Sequence, residues 1–262
     1  MAREQNVFIW NDYRQWRKTV LFLIADLVDK NVLDELRKNP PRYFVSDNLE
    51  WLDRAIQKIK GVAFSDIRAT LIERFTSHYQ FVRAFHGCRP ESIESYKQHG
   101  LLPSDPALLN KLAFQLFPQK KEAVQSVIKD LAINQDCYEG NVYFCLQLEE
   151  LVEDCGHYLL YGSEHLGAIG IRIGEPEVLR QRGRATIIEC NVPAVDISIA
   201  FKKCLIGQIL VTIAVKYCHR LRTPKIIDFG FYISRKLEPE NIIDFHFPTG
   251  IPNTHNFRIR ED

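Results

Sequence analysis

Apolar positions in the first eighty residues recur at helical spacing. Trp16, Val20, Leu23, Ile24, Leu27, Val28 and Leu36 follow one another mostly at three- and four-residue steps. Asn11 or Asp12 stands where a cap belongs for a helix starting near Tyr13. Asn39-Pro40-Pro41 closes this run, because proline lacks an N–H and restricts the residue before it. A second helix starts at Ser46 or Asp47, carries Leu49, Leu52, Ile56 and Ile59, and ends at Gly61. A third starts at Ser65 or Asp66 and runs through Ile67, Leu71, Ile72 and Phe75. These helices predict an N-terminal helical domain over residues 1–80, a bundle or a cap against a sheet. It holds no chemistry-bearing cluster, so packing or partner binding is its expected role.

From Gln80 the period shortens. Phe81 to Phe85 reads as a strand that delivers His86 and Gly87 to its end. Pro90-Glu91 suits the first turn of a helix with Ile93 and Tyr96 on one face, stopped by Gly100. Residues 107–133 read as an inserted helical segment of one or two helices. Val142 to Leu146 is a second strand, Leu148 to Tyr161 a helix, and Ala168 to Ile173 a short apolar strand interrupted by Gly170. Glu175 to Gln181 is a helical turn. Ala185 to Val192 is the clearest β-branched strand. A helix follows over about Ile197 to Leu221, then strands at Lys225–Ile233 and Leu237–Phe245. The pattern predicts an α+β core over 81–247, with an irregular tail over 248–262.

Composition narrows the classes. A chain of 262 residues with 46% hydrophobic and 26% charged residues has the balance of a folded protein of one or two domains. Its net charge of +1 sets up no global attraction for nucleic acid or anionic membrane. The most apolar run, Thr19 to Val28, is broken by Asp26 and is too short to span a bilayer. Seven cysteines in no paired CxxC spacing, with no signal-peptide pattern ahead of them, read as reduced thiols of a cytoplasmic protein. Cys155-Gly-His157 and Cys218-His219 do not match structural zinc spacing, so no metal is expected. Residues 172–225 hold ten Lys or Arg against four Asp or Glu, with Arg180, Arg182 and Arg184 close together and Arg220, Arg222 and Lys225 likewise. Such a face can be plain solvated surface, or it can contact the phosphates of a nucleic acid.

A strand ending in His86-Gly87 is followed by a helix ending in Gly100-Leu-Leu-Pro103. Then comes a strand carrying Tyr143-Phe144, and a helix with further tyrosines. In that order, over about Val82 to Ile243, these motifs resemble the NAD-binding core of the ADP-ribosyltransferases with a His-Tyr-Glu triad. The resemblance implies a split β-sheet core and NAD as substrate. His86 would hold the adenosine-side ribose, and Gly87 would let the backbone approach the nicotinamide amide. Tyr143 would be the triad tyrosine, Tyr158 or Tyr161 would stack on nicotinamide, and Ser163 would face the same pocket. The family's glutamate falls near Gly230, which is no acid. Asp228, two residues earlier and on the same strand face, then becomes the candidate. Glu238, Glu240 or no acid at all are the alternatives. The positive charge that develops on the ribose is why a carboxylate is wanted. A single transferase module with an added helical domain is similar to bacterial toxin or phage-defence effectors. These act on a protein or nucleic-acid acceptor and, in toxin–antitoxin pairs, are held by an antitoxin, here through residues 1–80. NAD hydrolysis and a catalytically silent binding module are the other readings.

Overall fold

A computed structural model describes residues 6–62, 66–133, 140–219 and 230–252 of the chain. It is a mixed helix-and-sheet structure that divides into two compact units. The first comprises residues 1–82 and 193–229, the second 83–192 and 230–262.

In chain order the first unit opens with β1 (Val7–Phe8), α1 (Tyr13–Leu23), α2 (Lys30–Lys38), α3 (Glu50–Lys60) and α4 (Ile67–His78), and runs into β2 (Phe81–Cys88). The second unit holds the rest of β2, then α5 (Glu94–His99), α6 (Pro106–Leu116), α7 (Lys121–Ile133) and β3 (Val142–Cys145). It continues with α8 (Leu148–Glu153), α9 (His157–Tyr161), α10 (Glu164–Arg172), α11 (Pro176–Gln181) and β4 (Thr186–Pro193). The chain returns to the first unit for α12 (Ile199–Tyr217), then supplies β5 (Gly230–Ile233) and β6 (Ile242–His246) to the second.

The first unit forms around α12, which is apolar on all sides and packs on α2 and α4. Gly207 lets it close on the loop before α3. A β-carbon there would fall 2.3 Å from the Ser46 carbonyl oxygen. The long helix expected from Tyr13 to Leu36 is two helices. Asp29 accepts hydrogen bonds from the backbone N–H groups of Asn31 and Val32 and so starts α2 afresh. Asp66 caps α4 and Gly61, at φ 71°, ends α3. β1 pairs in parallel with the first two residues of β2.

The second unit holds a sheet in the order β5-β3-β2-β4-β6. β2 pairs antiparallel with β3, β3 with β5, and β4 with β6. The expected strand at Ala168–Ile173 is helix α10. Ser163 caps it, and Gly167 and Gly170 are close-packing positions: a β-carbon on Gly170 would meet Leu179 at 2.9 Å. The helix expected from Leu148 breaks into α8 and α9 at Gly156, where Ile251 and Pro252 lie against the backbone. Pro90-Glu91 stays outside α5. The last strand is shortened by a 3-10 turn at Pro239–Asn241. The insertion, α6 and α7, packs with α9, α10 and α11 in an apolar cluster of its own.

Candidate functional site

The ladder of β3 with β5 sets Tyr143 opposite Tyr232, Phe144 opposite Phe231, and Cys145 opposite Gly230. Phe85 of β2 lies opposite Cys145. Alternation along the strands therefore puts Phe85, Gly87, Tyr143, Cys145 and Tyr232 on one face, and His86, Phe144 and Phe231 on the other. The Tyr143 and Tyr232 rings lie 5.6 Å apart and the Phe144 and Phe231 rings 5.4 Å. Burial raises the Tyr143 phenol above its ordinary value of 10. A hydrogen bond with Asn141 acts against this, and the charges of Tyr232 and Glu164 add to it. Asn141 is itself fixed by accepting from the Ser234 hydroxyl at 2.8 Å.

Glu164 enters from α10. Its carboxylate accepts the Tyr158 O–H at 3.0 Å, which ties the N-terminal half of α9 to the start of α10. Two small residues allow this. Gly162, at φ 84°, makes the turn between the helices. Gly87 has no room beside it, since a β-carbon would meet Leu151 and the Tyr158 β-carbon at 3.2 Å each. The space next to Gly87 is thus filled by α8 and α9, the opposite of the open backbone edge that the resemblance implies. Ser163 serves as a helix cap, its hydroxyl accepting from the Leu166 N–H at 3.1 Å. Tyr161 is only 5% exposed and packs among Leu166, Ile169 and Leu179, with the Arg180 guanidinium 5.7 Å from its ring centre. Of the two tyrosines on this segment, Tyr158 joins the Tyr143 side and Tyr161 belongs to the core.

His86 sits on the other face. Its Nδ1 lies 2.8 Å from the Tyr143 carbonyl oxygen, which can only accept. Nδ1 therefore carries the hydrogen, and Nε2 holds the lone pair of a neutral ring. Burial lowers its pKa below the ordinary 6.5, with the carbonyl bond pulling the other way. The ring packs edge-on against Phe144 at 6.0 Å. His86 and Tyr143 are joined through the backbone, while their rings point to opposite sides. Asp228 lies outside the described residues, as do Arg220, Arg222 and Lys225. Glu238 and Glu240 are exposed on the turn that Leu237 pins to Leu101, and Glu238 pairs with Lys236 at 2.6 Å.

A second polar cluster ties β2, β4 and β6. Arg83 donates to Asn191 at 2.9 Å and to Glu189, and His246 Nε2 lies 2.8 Å from the other Glu189 oxygen. Three of the basic positions seen in the sequence, among the described residues, have partners. Arg180 pairs with Glu177 and Arg182 with Glu91, and Arg184 lies over the Phe247 ring. Burial drives the Cys88 thiol up to about 12 and the Cys190 thiol higher, so neither is a nucleophile at neutral pH. Among the described residues no cluster of His, Cys, Asp or Glu is placed to hold a metal, and no helix is long and apolar enough to cross a membrane.

Sequence reasoning missed Glu164. The signal was present as Ser163-Glu164 after a glycine, a cap followed by an acid in the first turn. Reading Ala168–Ile173 as a strand hid the helix that this cap begins. Comparisons with protein-family models, with curated proteins and with solved structures each return no match for the chain.

Proposed function

We propose that the chain binds NAD beside Tyr143 and Tyr158 and transfers its ADP-ribose to a macromolecular acceptor, as the ADP-ribosyltransferases it resembles do. In this reading it is a toxin or phage-defence effector. The observation that carries the proposal is the arrangement of the motif strands. The His86 strand and the Tyr143 strand are antiparallel neighbours, β5 lies beside the Tyr143 strand and sets Tyr232 opposite Tyr143, and the Glu164 carboxylate, which accepts from Tyr158, acts on the Tyr143 phenol. The nicotinamide of NAD is a cationic aromatic ring, and the electron-rich face of a tyrosine attracts such a ring. In this reading His86 acts by holding the Tyr143 carbonyl, and so the strand, in place.

One observation favours a second reading. Gly230 opens β5 opposite Cys145, where the resembled family carries its acid. A binding module without turnover would have this arrangement. Purified protein with NAD separates the readings. Nicotinamide release that depends on added protein or nucleic acid marks transfer, and release into water alone marks hydrolysis. Binding without release marks the silent module. Label from NAD appearing in the protein or the nucleic-acid fraction of a cell extract names the acceptor class.

A protein partner, such as an antitoxin, is assigned to the first unit. There a cavity of about 460 Å³ lies between α2 and α3, lined by Glu35, Arg42, Tyr43, Trp51 and Lys58 among others. Tyr43 is 67% exposed beside it.

A further inference from the structure

We infer that Glu164, rather than Asp228, is the carboxylate that faces the ribose as NAD is cleaved. This inference rests on the transfer reading above and names a residue for it. The geometry is specific. Glu164 accepts the Tyr158 O–H at 3.0 Å, while Tyr143 stands on the adjoining ladder opposite Tyr232. Its charge reaches the Tyr143 phenol, which it helps to keep protonated. The start of β5 offers Gly230, with no side chain to contribute. Glu164 is carried by a helix whose first turn is fixed by the Ser163 cap, so the carboxylate is held on a rigid element.

In the reaction the bond between the anomeric carbon of the ribose and the nicotinamide nitrogen breaks. The electron pair leaves with the nitrogen, giving neutral nicotinamide. The ribose carries the positive charge until a lone pair from an acceptor oxygen or nitrogen forms the new bond, and the acceptor's proton passes to water. A fixed negative charge beside the ribose is stronger in effect on that cation than on the ground state, which is what accelerates the step. Tyr158, held by the same carboxylate, keeps its ring in one orientation.

The test is Glu164→Gln in the full chain. Its amide oxygen still accepts from Tyr158, so only the charge is removed. Nicotinamide release in the presence of cell-extract protein and RNA should fall about a hundredfold, with NAD affinity by calorimetry nearly unchanged. Tyr158→Phe should lose about tenfold or less, the scale of one net hydrogen bond. If Glu164→Gln melts below wild type, Glu164→Asp decides: partial recovery of turnover supports the charge, and no recovery overturns it. Wild-type release that survives Glu164→Gln but is abolished by Asp228→Asn overturns this inference alone. No release by the wild type with any acceptor ends the transfer reading and this inference together.

Discussion

Two polar clusters lie on one face of the β5-β3-β2-β4-β6 sheet, and they treat charge differently. At the β2-β4-β6 end, Arg83 is held between Asn191 and Glu189, and Glu189 also meets His246. The Arg83 and Glu189 side chains are 19% and 17% exposed, and their charges meet inside the cluster. At the β3-β5 end, the parts are phenols and a carboxylate, and Tyr232 is 45% exposed. A guanidinium already held by an amide and a carboxylate has little left to give a ligand. It ties β2 to β4, and His246 on Glu189 adds β6, a register role that is the best-attested use of a buried ion pair. Aromatic faces beside an acid can still take up a cationic ring and steady a developing cation. The presence of charged residues does not by itself mark a site. At one end of the sheet a carboxylate meets a guanidinium, and at the other a carboxylate accepts from the Tyr158 phenol.

Glu189→Ala should break the first cluster with the largest effect. It leaves the Arg83 guanidinium largely buried without its carboxylate, at a cost of about 3–5 kcal/mol. Urea unfolding would read this as a lower midpoint, while NAD turnover per folded molecule stays near wild type. A loss below about 1 kcal/mol, the scale of a surface pair, would mean that the cluster is no framework.

Gly87→Ala comes next. The added methyl must push on Leu151 and on the backbone-proximal part of Tyr158, both at 3.2 Å, for a loss of about 1–3 kcal/mol. Because Tyr158 moves with α9, NAD turnover should fall as well. Unchanged turnover in a destabilised Gly87→Ala protein would separate Tyr158 from the site. Tyr143→Ala should then weaken NAD binding by about tenfold, the worth of one aromatic contact of roughly 1–1.5 kcal/mol. Tyr161→Phe, inside the helical cluster, should leave binding unchanged. Calorimetry on the two variants decides between the tyrosines.

Much of this fold was legible in the sequence because its signals are local. The caps at Asp66 and Gly61, the β-branched run ending at Val192, and the insertion between Pro106 and Ile133 each follow from chemistry within a few residues. What the sequence hid depends on contacts far along the chain. Gly167 and Gly170 look like interruptions of a strand until Tyr161 and Leu179 are seen packed against them. Helix α12 reads as part of the core that surrounds it in sequence, yet it packs on α2 and α4 in the first unit. A fragment ending at residue 80 would lack it and leave the apolar sides of those helices bare. For the candidate site, Tyr143 and Tyr158 could be named from strand and helix patterns. Which face each ring takes, and that Glu164 meets Tyr158, follows only from register and from the turn at Gly162.

The smallest expected effect concerns the other side of the sheet. Burial holds the His86 ring neutral below its ordinary pKa of 6.5, so between that value and its lower folded value the unfolded chain binds a proton that the native chain does not. Stability therefore falls as pH is lowered through this window, by at most about 1.4 kcal/mol per pH unit for one such group. His165, lowered by burial and bonded to Asn110, adds a slope of the same sign, so each histidine must be replaced separately. His86→Gln keeps a donor for the Tyr143 carbonyl and removes the titration. Its urea midpoint should depend less on pH between about 7 and 5 than that of the wild type. An equal slope in both proteins would mean that His86 binds its proton over the same pH range in the native and the unfolded chain. Repeating the series with saturating NAD turns this into a test of the two faces. If the His86 contribution is unchanged by NAD, the histidine acts through the strand alone. If NAD shifts it, His86 meets the ligand, and the division between the faces that alternation predicts does not hold at the site.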